Sequence, residues 1–239
     1  MEIRGKTAVV TGGTDGIGIE IARHLGAGGA SVVVAGRDLA RLDSARTEGF
    51  EPIAADLSTI AGCDALIAAL AGRPIDILVN NAGMGAEYDV TAPIDLCEVD
   101  RCIFLNLNAP IRLITGLLDT LRARPEAMIV NVTSGLAIAP AAGSPVYCGT
   151  KAGLRSFTMA LRAQLSGTKV HVMEALPPVV ETQMTAGNSH KKMSAAECGR
   201  QIVAAIAGDR NQANVGMTAL LNTVHNISPA IARHVMLRY

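Results

Sequence analysis

The chain has 239 residues, 49% of them hydrophobic, enough for one large buried core in a single domain. Its 21 basic and 21 acidic residues cancel, and without a basic stretch a nucleic-acid partner has no electrostatic support. The five cysteines (Cys63, Cys97, Cys102, Cys148, Cys198) are odd in number, scattered and lack a CxxC pair, which points to free thiols in a reducing cytoplasm and away from a zinc site.

Residues 1–6 are polar and lead straight into a strand pattern, so no signal peptide is expected. No run of about 20 apolar residues predicts a membrane-spanning helix. Short β-branched runs then alternate with longer helical patterns, the signature of βαβ units. The predicted order is strand 7–11, helix 16–27, strand 31–35, helix 39–48, strand 51–55, helix 60–71, strand 75–80 and helix 99–123. It continues with strand 127–133, helix 146–166, strand 170–175, a helix near 194–208 opened by a Ser194/Glu197 capping box, and a short strand near 214–217. Strands apolar on both sides suit a parallel sheet covered by helices on both faces. Residues 177–193 read as a long loop of the lid kind, with Pro177, Pro178, Gly187, Asn188, His190, Lys191 and Lys192. The amphipathic tail 218–239, broken by Pro229, is expected to pack on the core or a partner subunit, with a membrane surface as the other reading. No repeat or linker divides the chain. The expectation is a single-domain, doubly wound α/β (Rossmann) fold of about seven parallel strands over residues 1–239.

The first strand ends in Thr11-Gly12-Gly13-Thr14-Asp15-Gly16-Ile17-Gly18 and opens directly onto a helix. Glycine permits close backbone approach, and a helix N-terminus offers unpaired N–H groups and a positive dipole end, so this turn can cradle a pyrophosphate. Its spacing is GxxxGxG, and the same glycines would also serve a plain tight turn. About 20 residues on, a dinucleotide site for NAD carries an acid for the ribose 2′-hydroxyl. Here Gly36 and Arg37 stand there, and a guanidinium suits a 2′-phosphate, favouring NADP(H) over NAD(H). The competing reading has Arg37 capping the strand or pairing with Asp38.

Tyr147 and Lys151 lie one helical turn apart, with Ser134 at the end of the preceding strand. A phenol with a pKa of about 10 is a poor base at neutral pH. At an effective dielectric of ~20, an ammonium ~4 Å away favours the phenolate by ~4 kcal/mol. That is up to ~3 pKa units and would bring the tyrosine near ~7, where acid/base catalysis works best.

With the glycine turn, Asn80-Asn81-Ala82-Gly83 after the fourth strand, and Ser134, Tyr147 and Lys151 in order, the chain resembles the short-chain dehydrogenase/reductase family over essentially its whole length. The stretches VTSGLA at 132–137, PVYCGTK at 145–151 and PPVVET at 177–182 look most like the DltE-like bacterial branch. The resemblance implies hydride transfer between a nicotinamide and a small-molecule ketone or secondary alcohol. It makes Tyr147 the general acid/base, Lys151 the ligand of the nicotinamide ribose that lowers the tyrosine pKa, and Ser134 the hydroxyl that orients the substrate carbonyl. It gives Asn106 a water of the proton relay, with Asn108 as the competing choice. Gly12, Thr14, Asp15, Gly16, Ile17 and Gly18 would hold the cofactor phosphates, and Asp56 and Leu57 the adenine end. Asn80, Ala82 and Gly83 would line the cleft, while Pro177, Val180 and Thr182 would meet the carboxamide and phosphate. Pro178 departs from the family's Pro-Gly and removes a backbone N–H there. Helices 99–123 and 146–166 are those the family uses for dimers, and Leu113, Ile114, Leu117, Leu118, Phe157, Met159 and Leu161 fit burial on more than one side. A homodimer or homotetramer is expected.

Other residues have plainer readings. Cys148 beside Tyr147 lacks a nearby histidine and reads as packing. His24, His171, His190, His225 and His234 lack metal-ligand spacing, so no metal is expected; substrate contact is the minority reading of His190. Met84, Tyr88, Leu136, Met184 and Met193 are candidate pocket walls. Two alternatives to a free-standing enzyme are an NADP-binding regulatory protein without turnover and an enzyme for carrier-bound substrates. For the latter, Lys191 and Lys192 would meet an acidic carrier.

Overall fold

The computed structural model describes residues 1–187 and 191–238, so expectations placed on Asn188 and His190 lie outside the described residues. Seven strands form one parallel sheet in the order β3-β2-β1-β4-β5-β6-β7. They are β1 (Thr7–Thr11), β2 (Ser31–Gly36), β3 (Glu51–Ala54), β4 (Ile77–Asn80), β5 (Ala127–Val132), β6 (Val170–Leu176) and β7 (Gln212–Asn214). The helices are α1 (Gly16–Ala27), α2 (Leu39–Thr47), α3 (Ile60–Leu70), α4 (Leu96–Ile103), α5 (Ala109–Arg122), α6 (Pro145–Gln164), α7 (Ala195–Ala207), α8 (Thr218–Ile227) and α9 (Pro229–Met236).

Strand periodicity sends alternate residues to two cores. Ala8 and Val10 of β1 join Ile21, Leu25, Ile202 and Ile206 of α1 and α7 on one face. Val9 points the other way, to the layer of Leu66, Leu113, Leu117 and Leu161 from α3, α5 and α6. Each such fully buried side chain stabilises by roughly 1.5–3 kcal/mol. Strand order reverses between β1 and β4, which opens a crevice at their carboxyl ends.

Two expectations, on the last strand and on helix 99–123, need correction, and two others gain detail. The last strand is Gln212–Asn214 rather than 214–217: the Val215 amide makes the final bond to the Leu176 carbonyl, and the chain then turns into α8. The 177–193 stretch is not featureless, since Gln183–Thr185 forms a 3-10 turn and Val180 bridges Met193. The tail is two helices, with Ser228 capping α9 and Pro229 in its first turn, where a missing N–H costs nothing. The predicted helix 99–123 begins at Leu96, capped by Asp95, and is interrupted by a π-turn over Phe104–Asn108. Pro110 explains the interruption: it has no N–H to offer the Asn106 carbonyl four residues back. By length and composition alone, Leu96–Arg122 would be long and apolar enough to cross a membrane, but Leu113, Leu117 and Leu121 are buried in the core.

Candidate active site

A cleft of about 640 Å³ runs along the carboxyl ends of the strands. At one end it is lined by Gly12, Thr14, Asp15, Gly16 and Ile17 of the glycine turn, by Arg37, and by Asp56 and Leu57. At the other it reaches Gly83, Ser134, Tyr147, Lys151, Pro177 and Val180, while Ala82 and Thr182 line it beside Gly12 and Gly16. The crossover order of the sheet brings these sequence-distant segments to one edge.

The glycine turn has the shape a pyrophosphate needs. Gly16 has φ +53, a conformation that side chains disfavour. Asp15 caps α1 by accepting from the Gly16 amide at 2.7 Å, which leaves the Ile17 and Gly18 amides without a protein acceptor among the described residues. Gly18 does not line the cleft; its place is packing, because a Cβ there would lie 2.1 Å from the Gly12 carbonyl oxygen. Thr11 holds the facing segment, its Oγ1 accepting from the Asn81 and Ala82 amides at 3.0 and 3.1 Å.

Asn80 is likewise behind the cleft. It is buried, and its Nδ2 donates to Asn131 Oδ1 at 2.9 Å, tying β4 to β5, while neighbouring Asn81 lines the cleft instead. Among the candidate walls Met84 and Met184 line the cleft, whereas Tyr88, Leu136 and Met193 do not. Met193 is held away by its bridge to Val180.

Asp56 accepts from the Ser58 amide and hydroxyl at 3.0 and 2.7 Å. Burial works to raise its pKa, but the Ser58 bonds and the nearby Arg37 guanidinium outweigh it and hold the carboxyl below its ordinary value. Sequence reasoning missed Arg41, one turn beyond Arg37 on α2 and also lining the cleft. Its guanidinium donates to Asp15 at 2.6 Å and to Gln183 at 2.7 Å, joining α2, the glycine turn and the 177–193 segment. The available signal was a second arginine in the first turn of the helix that follows Arg37.

At the opposite end Ser134 leaves β5 in an extended conformation, and its Oγ accepts from the Leu136 amide at 3.1 Å. Lys151 is buried; its Nζ donates to the Val132 carbonyl at 3.0 Å and lies 5.6 Å from the Tyr147 ring centroid. Burial lowers its pKa to about 8. The expected depression of Tyr147 does not occur. Burial pushes the phenol up to about 12; the Ser134 hydroxyl offsets some of this, and the Cys148 and Cys102 thiols add to it. Burial, not the lysine charge, dominates the phenol's hold on its proton.

Asn106 is fully buried on the π-turn. Its Oδ1 accepts from the Met84 amide at 2.9 Å, and its Nδ2 donates to the Met84 carbonyl at 2.8 Å and to Thr150 Oγ1 at 3.1 Å. Protein groups make all of these bonds, and the side chain does not line the cleft. It borders Lys151 through Gly83, whose added Cβ would lie 3.1 Å from Asn106 Oδ1 and 3.4 Å from Lys151 Nζ. Cys148 is a packing residue as expected, its sulfur accepting from the Ala141 amide at 3.4 Å and burial raising its thiol pKa.

Of the residues expected at a dimer face, Leu113, Ile114, Leu117 and Leu161 are already buried within the subunit, while Met159 remains exposed.

The profile of the short chain dehydrogenase family matches residues 6–193, and the chain belongs to that family of oxidoreductases. It is 40% identical over 197 residues to the uncharacterized oxidoreductase DltE of Bacillus subtilis (strain 168), covering 80% of this chain and 78% of that one. A short-chain dehydrogenase from Sphingobium yanoikuyae in complex with NADPH superposes with a TM-score of 0.83 at 26% identity, over 95% of this chain and 94% of that one. One from Burkholderia cenocepacia J2315, in complex with NADP, shares the fold at a TM-score of 0.89 and 22% identity, with both chains covered in full.

Proposed function

We propose that the protein is an NADP(H)-dependent reductase of ketones, or in reverse a dehydrogenase of secondary alcohols, with Tyr147 as the proton donor. One observation carries this reading: Ser134, Tyr147 and Lys151 converge at one end of the cleft whose other end presents Arg37. The nicotinamide supplies the hydride when bound. Ser134 and the Tyr147 hydroxyl hold the substrate oxygen between them, and the phenol delivers its proton there. A phenol held near 12 stays protonated, which suits the reducing direction. Arg37, and Arg41 beside it, would take the 2′-phosphate, while the Ile17 amide would receive the pyrophosphate. The segment from Pro177 to Thr185 would form a lid along the cleft. The NADPH and NADP complexes of similar structures support this cofactor. Five free cysteines support a reducing compartment. Exposed Met159, with half-buried Leu118 and Phe157 on α5 and α6, supports a homo-oligomer. Oxidation of NADPH against a panel of neutral ketones tests the reading. Tight NADPH binding without turnover of any carbonyl would leave a cofactor-binding regulatory protein in its place.

A further inference from the structure

The two faces of the sheet are joined to their helices differently. α1 and α7 pack through apolar side chains, whereas α6 is also pinned by a row of polar bonds. Tyr147, Lys151, Arg155, Thr158 and Arg162 recur every three or four residues and share one helix face. From Lys151 onward each is bonded to β5 or β6. Lys151 reaches the Val132 carbonyl, and Arg155 donates to Glu174 Oε2 at 2.9 Å. Thr158 Oγ1 accepts from Asn131 Nδ2 at 2.9 Å, and Arg162 donates to the Val172 carbonyl at 2.7 Å.

Glu174, on β6, is 2% exposed, and its other oxygen accepts from Thr133 Oγ1 at 2.7 Å. Thr133 immediately precedes Ser134, and Arg155 lies one turn beyond Lys151. One buried carboxylate therefore holds the strand end that carries the serine and the helix that carries the tyrosine. Burying this charge costs desolvation, and well-packed apolar replacements of such pairs are often as stable or more so. An ion pair adds direction. Apolar packing tolerates a small slide of a helix along its axis, but a charge-assisted bond to a fixed carboxylate does not. A slide of one residue moves a helix by about 1.5 Å, enough to separate a pair of hydroxyls that must meet the same oxygen.

We propose that Glu174 and Arg155 are positioning residues that set the height of Tyr147 against Ser134. The inference rests on the reading of those two hydroxyls given under Proposed function. Neither Glu174 nor Arg155 lines the cleft, so neither touches substrate or cofactor.

The test is the double variant Glu174→Leu/Arg155→Met, which removes both charges together and leaves no buried orphan. It should melt within a few degrees of wild type and bind NADPH with unchanged Kd. Its kcat should fall tenfold or more, and the primary isotope effect with deuterated NADPH should rise, because misaligned chemistry becomes rate-limiting. A partial loss of folded protein would lower the active fraction and leave the isotope effect alone. Glu174→Gln, which keeps an acceptor for Thr133 and loses the charge, should show a smaller drop in kcat and serves if the double variant does not fold. Arg155→Lys, which keeps the pair, should retain most activity. Wild-type kcat and isotope effect in the folded double variant, or in Glu174→Gln if that alone folds, would overturn the proposal. A crystal structure of the same variant separates this from failure of the functional reading. Tyr147 and Ser134 found undisplaced overturn the positioning role whatever the substrate, whereas a wild-type protein that turns over no carbonyl overturns the assigned activity.

Discussion

The Lys151 ammonium lies over the face of the Tyr147 ring, 5.6 Å from its centroid, and spends a hydrogen bond on the Val132 carbonyl. Spacing of four on a helix predicts that two side chains are neighbours; it does not predict which atoms face each other. A cation over a ring face is attracted by the ring quadrupole, worth roughly 0.5–2 kcal/mol. Burial of the phenol is the largest influence on its pKa, and the hydroxyl keeps its proton at neutral pH. The arrangement favours a proton donor over a base.

Tyr147→Phe keeps the ring beneath the ammonium and removes only the hydroxyl. General acid catalysis contributes typically about 10²–10⁴-fold. NADPH-dependent reduction should fall by that order while NADPH affinity, read by titration of its fluorescence, stays within about twofold. Full turnover in this variant would remove Tyr147 from the chemistry.

The lowered Lys151 pKa predicts a pH limb. Below about 8 the lysine is charged and available to the cofactor ribose; above that it loses its proton, so kcat/KM for reduction should decline as pH rises through about 8. Tyr147, raised to about 12, adds no limb in this range. Lys151→Arg should carry the plateau to higher pH even if its height drops. Stability has its own sign. Between about 8 and the ordinary lysine value the unfolded chain binds the proton that the folded chain has released, so stability should rise with pH there. Lys151→Met should abolish that rise in denaturation midpoints measured from pH 8 to 10. A limb left in place by Lys151→Arg would assign it to another group.

Much of this site was readable from residue spacing because the features concerned are local. The Gly12–Gly18 turn follows a strand and opens a helix, and six of the seven strands fall within two residues of their expected ends. What escaped was set by partners distant in sequence. Asn80 looks identical to Asn81 until the sheet turns one toward Asn131 and the other toward Thr11. The edge strand β7 has three residues and little apolar pattern of its own. Pro110 was an available signal that helix 99–123, read as continuous, would break, but that the break would place Asn106 against Met84 and Thr150 depends on α6 packing across it.

Cofactor choice should follow the two arginines unequally. Arg37 has no ion pair among the described residues, whereas Arg41 is held by Asp15. Charge-assisted bonds are worth about 1.5–3 kcal/mol, so Arg37→Ala should weaken NADPH by roughly 10–100-fold with little change for NADH. Arg41→Ala should cost less, because that guanidinium must first leave Asp15. Asp15→Asn retains a cap for the Gly16 amide and frees Arg41, and should tighten NADPH. Paired titrations with both dinucleotides check this, and equal losses for NADPH and NADH in Arg37→Ala would count against a 2′-phosphate site.

Gly18 gives a prediction from packing alone. A Cβ there would sit 2.1 Å from the Gly12 carbonyl oxygen and 2.5 Å from Asn81 Nδ2. Neither can retreat freely: Gly12 belongs to the turn, and Asn81 Nδ2 donates to the Thr11 and Gly12 carbonyls. α1 must therefore move away from β1 and take the Ile17 and Gly18 amides with it. Overpacking of this kind costs about 1–3 kcal/mol. Gly18→Ala should lower the melting temperature and weaken NADPH and NADH alike, since the pyrophosphate is common to both. A variant as stable as wild type, with unchanged dinucleotide affinity, would show that the turn does not depend on this close approach.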